Sequence, residues 1–340
     1  MKKPETIYLI TRTHGRKTHL LNPEDFNVMA RSRSLTEIVT QLLRSDYAVE
    51  ISKLPSREVD STRLETIFLK TLVDRYFTVI KDARGKIQEF LRAYAARVEV
   101  ENLKRILRAK HTGEPIESQN LIPLGREHTI INFPALLKAG DIDETVSLLK
   151  ETPYATLTSR LDVYKRLGQP IALESYLDRI YFERVLDRMK GLVDGDSLRW
   201  LVCQEIDLRN LLLIFTLKLR EATPRIIKDM HIPTYYRLRS GVVRRLIHGK
   251  FEDAREILAG IYSEVADELF KKGEEESRVE TVISKVLYKY ATFALTNFFM
   301  ELSYVVAYML LCEREAKNLV AITTAVDLGM PEDVLRSRIL

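Results

Sequence analysis

Three stretches of the chain share the pattern acid-x-x-Asn-Leu-x-x-Ile, with Glu99 before Asn102, Asp207 before Asn210, and Glu315 before Asn318. A leucine follows each of these asparagines, and an isoleucine stands four residues after it, at Ile106, Ile214 and Ile322. Glu117-Ser118-Gln119-Asn120-Leu121 matches only the short form, out of register and with Leu124 in place of the isoleucine. On a helix the acid and the amide share a face, so the carboxylate could accept from the amide NH2 group. Ala95, Val98 and Ile106 lie on the same stripe as Asn102, so this amide faces a core and must find partners there. The motif suits either a contact site or a device that fixes helix register, and its recurrence in three places favours the register device.

Other chemistry-bearing residues are sparse. The 6 histidines (14, 19, 111, 128, 231 and 248) never stand at i, i+4 on one helix with a carboxylate, the spacing a helical zinc site needs. Cys203 and Cys312 sit in apolar helical sequence and read as buried, inert thiols. Glycine-rich phosphate loops, dinucleotide fingerprints, zincin and dithiol motifs and nucleophile elbows do not occur. No catalytic residue, metal ligand or cofactor site is assigned, and the chain is expected not to be an enzyme.

The elements that carry the motif repeat with it. Asn102, Asn210 and Asn318 are spaced 108 residues apart. A leucine or isoleucine–leucine pair precedes a tyrosine in each copy, at Tyr47, Tyr154 and Tyr262. Leu64-Glu65, Leu173-Glu174 and Val279-Glu280 open a long helix each time. Apolar periodicity predicts helices over 61–81, 88–110, 173–190, 197–220 and 279–312, the last running on to 325. Thr62 and Glu65 have capping-box spacing at the first of these. Lys104, Arg105, Arg108 and Lys110 crowd the end of the second, where cations suit the helix dipole. Loops are expected at 53–57, 166–170 and 271–276. The order of elements therefore recurs three times, giving helical units at 1–113, 114–224 and 225–340.

Composition agrees with helices. With 46% hydrophobic and 30% charged residues the chain can bury a sizeable core. Glycine and proline (13 and 11) are scarce, which argues against a protein of many tight turns. Two cysteines cannot make a disulfide framework and favour a reducing compartment. The net charge of +5 is uneven, with +8 in residues 1–113, −3 in 114–224 and zero in 225–340. Residues 1–8 are not followed by the apolar stretch of a signal peptide. The run 290–312 is long enough to span a bilayer, but Glu301 lies at its centre, so a buried helix is the favoured reading. Residues 235–250 carry Arg237, Arg239, Arg244 and Arg245 beside Tyr235 and Tyr236. A solvated helix face is the plain account of them, and contact with a partner or a nucleic acid the sharper one. Residues 271–278, mixed in sign, read as a surface turn.

The Leu-Leu-x-x-x-Tyr, long helix and acid-x-x-Asn-Leu series resembles the C subunits of archaeal and bacterial A/V-type ATP synthases, relatives of the d subunit of eukaryotic V-ATPases. The clearest matches are residues 34–39 leading to Tyr47, 99–106, 207–214, Ala307-Tyr308 and 313–322, while the opening segment 8–21 keeps the family pattern only faintly. The resemblance implies an all-α fold of three related domains around a pseudo-threefold axis, shaped as a funnel. It implies a non-catalytic rotor component, peripheral on the cytoplasmic face of the membrane. Its partners would be the central-stalk subunits and the proteolipid ring, with torque passed between them during ATP synthesis or hydrolysis coupled to an ion, a proton or sodium, the ring carrying that choice. No small-molecule substrate or nucleic acid is expected on that reading. The competing class is a free helical-repeat scaffold that uses the basic segment to hold nucleic acid, which a steep salt-dependent affinity would reveal.

Overall fold

The structure, a computed structural model, describes residues 4–55, 59–270 and 276–339. The turn expected at 271–278 falls mostly outside the described residues, as do Ser56 and Arg57 of the loop expected at 53–57. Every regular element among the described residues is a helix, so the fold is all-α.

The chain begins with α1 (Pro4–Lys17), α2 (Pro23–Ala30), α3 (Leu35–Leu42) and α4 (Ala48–Ile51), followed by the longer α5 (Ser61–Asp82), α6 (Gly85–Ala95) and α7 (Arg97–Thr112). Next come α8 (Phe133–Lys138), α9 (Ile142–Ser147), α10 (Leu161–Leu167), α11 (Ile171–Met189) and α12 (Gly195–Leu219). The remainder forms α13 (Pro224–Met230), α14 (Ser240–His248), α15 (Ala254–Ile257), α16 (Ser263–Phe270), α17 (Glu276–Asn297), α18 (Leu302–Asp327) and α19 (Glu332–Arg338).

Two compact units result. One comprises Met1–Ala95, Ile122–Gly125 and Ala291–Leu340, and the other Ala96–Leu121 and Arg126–Tyr290. In the first, α18 is the central rod. Its residues 302–312, apolar but for Ser303, are buried on every side, as so apolar a stretch must be in water. Along it lie α5, whose buried residues include Leu64, Phe68, Leu72 and Tyr76, and α1, whose buried residues include Leu9 and Ile10. The Tyr76 hydroxyl donates to the Met309 carbonyl at 3.0 Å, a partner that a buried phenol requires. In the second unit α12 plays the rod, buried from Leu201 to Leu208, with α11 packed against both α12 and α7.

One cap and two helix boundaries differ from the sequence expectation. Helix α5 starts at Ser61 because the Asp60 carboxylate accepts from the Arg63 N–H at 2.8 Å, so Asp60 is the cap and Thr62 lies inside the helix. The helix expected at 88–110 is two helices, α6 and α7, parted at Ala96. The run 290–312 is interrupted as well: α17 stops at Asn297, residues 298–301 turn, and α18 begins at Leu302. Glu301 precedes the first turn of α18 in extended conformation (φ −113°, ψ 161°), where a carboxylate meets the positive end of the helix dipole. Among the described residues no helix is long and apolar enough to cross a membrane.

Candidate functional site

The repeated acids are buried: Glu99, Asp207 and Glu315 are at most 4% exposed. Each accepts a hydrogen bond from one of the landmark tyrosines. Tyr154 donates to Glu99 at 2.7 Å, Tyr262 to Asp207 at 3.1 Å, and Tyr47 to Glu315 at 2.8 Å. All three phenols are at most 1% exposed. Burial, and next the facing carboxylate, push their pKa values above the usual phenol range, so each stays a donor.

Each acid also holds the non-helical linker that precedes those short helices. Thr129 donates its hydroxyl to Glu99. The backbone N–H groups of Tyr236, Arg237 and Leu238 donate to Asp207 at 3.3, 2.8 and 2.9 Å. The Leu21 N–H donates to Glu315 at 2.6 Å. Burial tends to raise the Asp207 pKa above the carboxylate range, and the four donors oppose it. A linker has no ladder of its own to satisfy its N–H groups, so a buried carboxylate on the rod helix supplies the acceptor.

A guanidinium lies over each tyrosine ring. Arg75 is 5.3 Å from the Tyr47 centroid, Arg184 is 5.7 Å from that of Tyr154, and Arg237 is 4.8 Å from that of Tyr262. Arg75 and Arg184 both stand eleven residues after the residue that opens the long helix in their copy, a position occupied in the third copy by Tyr290. There the cation comes from the linker instead, and Arg237 also reaches the Tyr290 hydroxyl at 3.2 Å.

The motif asparagines are buried too, at most 1% exposed, and Ile106, Ile214 and Ile322 are completely buried beside them. Asn210 accepts from the Ile232 N–H at 2.8 Å and donates to the Ile232 carbonyl at 3.0 Å, closing a two-bond clamp on the linker. The amide therefore does not serve the acid one turn earlier, as the shared helix face suggested. Asp207 and Asn210 instead grip successive parts of the same linker.

The basic clusters resolve differently from their sequence reading. On α7 the cations do more than meet a helix dipole. Lys104 pairs with Asp178 at 2.6 Å in a buried contact, and Arg108 with Glu174 at 2.7 Å, tying α7 to α11. Arg105 donates to the Asn120 carbonyl, and Lys110 to those of Leu137 and Ala139. Of the four arginines in 235–250, Arg237 is drawn inward as described, while Arg239, Arg244 and Arg245 are exposed. Both cysteines are free and buried, and burial pushes the Cys203 thiol up to about 11 and that of Cys312 to about 12. Among the described residues no group of histidines, cysteines and carboxylates is placed to hold a metal ion.

Sequence reasoning found the acids, amides and tyrosines but missed that acid and tyrosine meet. The common period of 107–108 residues in both series was the available signal.

The fold and its nodes define an all-helical repeat protein whose recurring polar residues hold the backbone together. The sequence profile of the ATP synthase (C/AC39) subunit family matches residues 9–338. The A-type ATP synthase C subunit of Archaeoglobus fulgidus is 25% identical over 344 residues, covering 98% of this chain and 95% of that protein. The same subunit of Haloferax volcanii is likewise 25% identical, with 98% and 97% covered, and that of Thermococcus kodakarensis 26% identical, with 97% and 88% covered. The chain belongs to the ATP synthase (C/AC39) subunit family, a family of non-catalytic subunits of that complex.

Proposed function

We propose that the chain is the central-rotor coupler of an A/V-type ATP synthase, seated between the central-stalk subunits and the membrane proteolipid ring on the cytoplasmic face. It would pass torque between the ATP-driven head and proton movement through the ring. The observation that carries this reading is the family match across nearly the whole chain, residues 9–338. Peripheral attachment is supported by the lack of a membrane-crossing helix among the described residues. The three helical copies, 1–113, 114–224 and 225–340, are read as three related domains, the acid of each meeting the landmark tyrosine of another. A torque-bearing part needs stiffness more than chemistry, and buried carboxylates gripping linkers provide it by fixing segments that lack secondary structure of their own.

The decisive test is affinity purification of the tagged chain from detergent-solubilised membranes. Proteolipid and central-stalk subunits should come with it in fixed proportion. Vesicles lacking the chain should hydrolyse ATP without pumping ions, and adding it back should restore pumping. A chain that fractionates apart from both sets of subunits overturns the reading.

A further inference from the structure

The partners of the repeated acids lie at repeated distances along the chain. Glu99 takes its linker contact 30 residues ahead and its tyrosine 55 ahead. Asp207 takes the Arg237 N–H 30 ahead and Tyr262 55 ahead. Glu315 makes the same two kinds of contact with Leu21 and Tyr47, residues that precede Thr129 by 108 and Tyr154 by 107. Each copy's rod helix is thus completed by the linker and short helices that open the next copy, and the third is completed by the first.

We propose that Glu315 is a clasp that locks the opening segment, residues 18–51, onto α18 and so closes the three copies into one continuous series. Its construction differs from that of the other two nodes. Among the described residues Glu315 is the one repeated acid in an ion pair, with Arg75 at 2.6 Å, and the same guanidinium reaches Asp46 at 3.1 Å. The linker at Leu21, the short-helix segment at Asp46 and Tyr47, and α5 through Arg75 therefore all converge on one carboxylate of α18. The inner nodes join segments 30 to 55 residues apart, which the intervening chain already keeps close, whereas this one joins residues 268 and 294 apart. Loop closure over such a separation costs more entropy, and the added cation supplies what the shorter closures do not need. The clasp stands on the packing of one compact unit and does not depend on the rotor reading.

Hydrogen exchange of the full-length chain, read by mass spectrometry, tests it. Glu315→Gln should speed exchange of amides in 18–51 more than tenfold, and Tyr47→Phe, which keeps the packing, about threefold. Peptides covering 129–154 and 231–262 should keep their wild-type rates. Glu99→Gln should give the converse pattern, loosening 129–154 and sparing 18–51. Unchanged exchange over 18–51 in both clasp variants overturns the proposal, and so does an equal rise in all three segments. Should Glu315→Gln fail to fold, Tyr47→Phe alone decides between these outcomes.

Discussion

Replacing Asn210 by alanine isolates one grip of the rod on a linker. The Asn210 amide exchanges two hydrogen bonds with the backbone of Ile232, whose side chain is 1% exposed. Alanine leaves that N–H without a partner, at about 1–3 kcal/mol, and takes from the carbonyl one bond worth roughly 0.5–1.5 kcal/mol, the carbonyl still accepting from the Thr234 N–H at 2.8 Å. Its better helix propensity returns roughly 0.5 kcal/mol in α12. A net loss of about 1–4 kcal/mol follows, felt first by the linker. A chain of 340 residues need not unfold in one step, so the assay is hydrogen exchange at Ile232 and at the three amides bound to Asp207. A loss of about 3 kcal/mol corresponds to roughly a hundredfold faster exchange, since about 1.4 kcal/mol is a factor of ten. Asn210→Asp is the sharper companion. It still accepts from the Ile232 N–H but turns an acceptor toward the carbonyl and adds a second buried carboxylate one turn from Asp207. It should therefore destabilise more than alanine does. Protection of Ile232 that changes by less than about threefold in Asn210→Ala would refute the clamp.

Lys104→Met removes the cation from a buried pair and should cost about 3 kcal/mol at neutral pH, the low end of such losses because Arg209 stands 3.8 Å from Asp178. Burial works to raise the Asp178 pKa, but Lys104 and then Arg209 hold it below the usual 3.8. Its stabilisation is therefore present above that value and lost as pH falls below it, so the gap between wild type and variant in urea melts should narrow below pH 4. Thiol reagents at pH 8 should leave the native chain unmodified and label two cysteines once it is denatured, because both thiols are buried with raised pKa values. Reversing the charges of Arg239, Arg244 and Arg245 together should change thermal stability little, as exposed sites do. In affinity purification that variant should lose partner subunits at low salt and match wild type at high salt, where surface charge is screened.

Much of the fold was legible in the sequence because helices and repeats are local or periodic signals. The long helices near 61–81, 173–190 and 197–220 lie within a few residues of α5, α11 and α12. The features that escaped depend on tertiary neighbours. Residues 290–312 form one apolar run, and nothing in hydropathy distinguishes a continuous rod from two helices meeting at the turn 298–301. Asn210 shares a face with Asp207, but which partner an amide takes depends on a linker that periodicity cannot place. Arg237 looked like part of a surface cluster, although the position aligned with Arg75 and Arg184 holds a tyrosine, and the missing cation was the clue. At Glu315 the acid was visible and its partners were not, since they stand at the other end of the chain.

That the first compact unit is assembled from both ends of the polypeptide has a consequence for its synthesis. The apolar face of α5 leaves the ribosome early, but the rod against which it packs, α18, is made only after some 200 further residues. At translation rates of about 5–20 residues per second that interval is roughly 10–40 seconds. Throughout it the side of α5 that packs on α18 lacks its final cover, so the newborn amino-terminal third is a natural client for chaperones, whereas the middle of the chain has its packing partners close behind it.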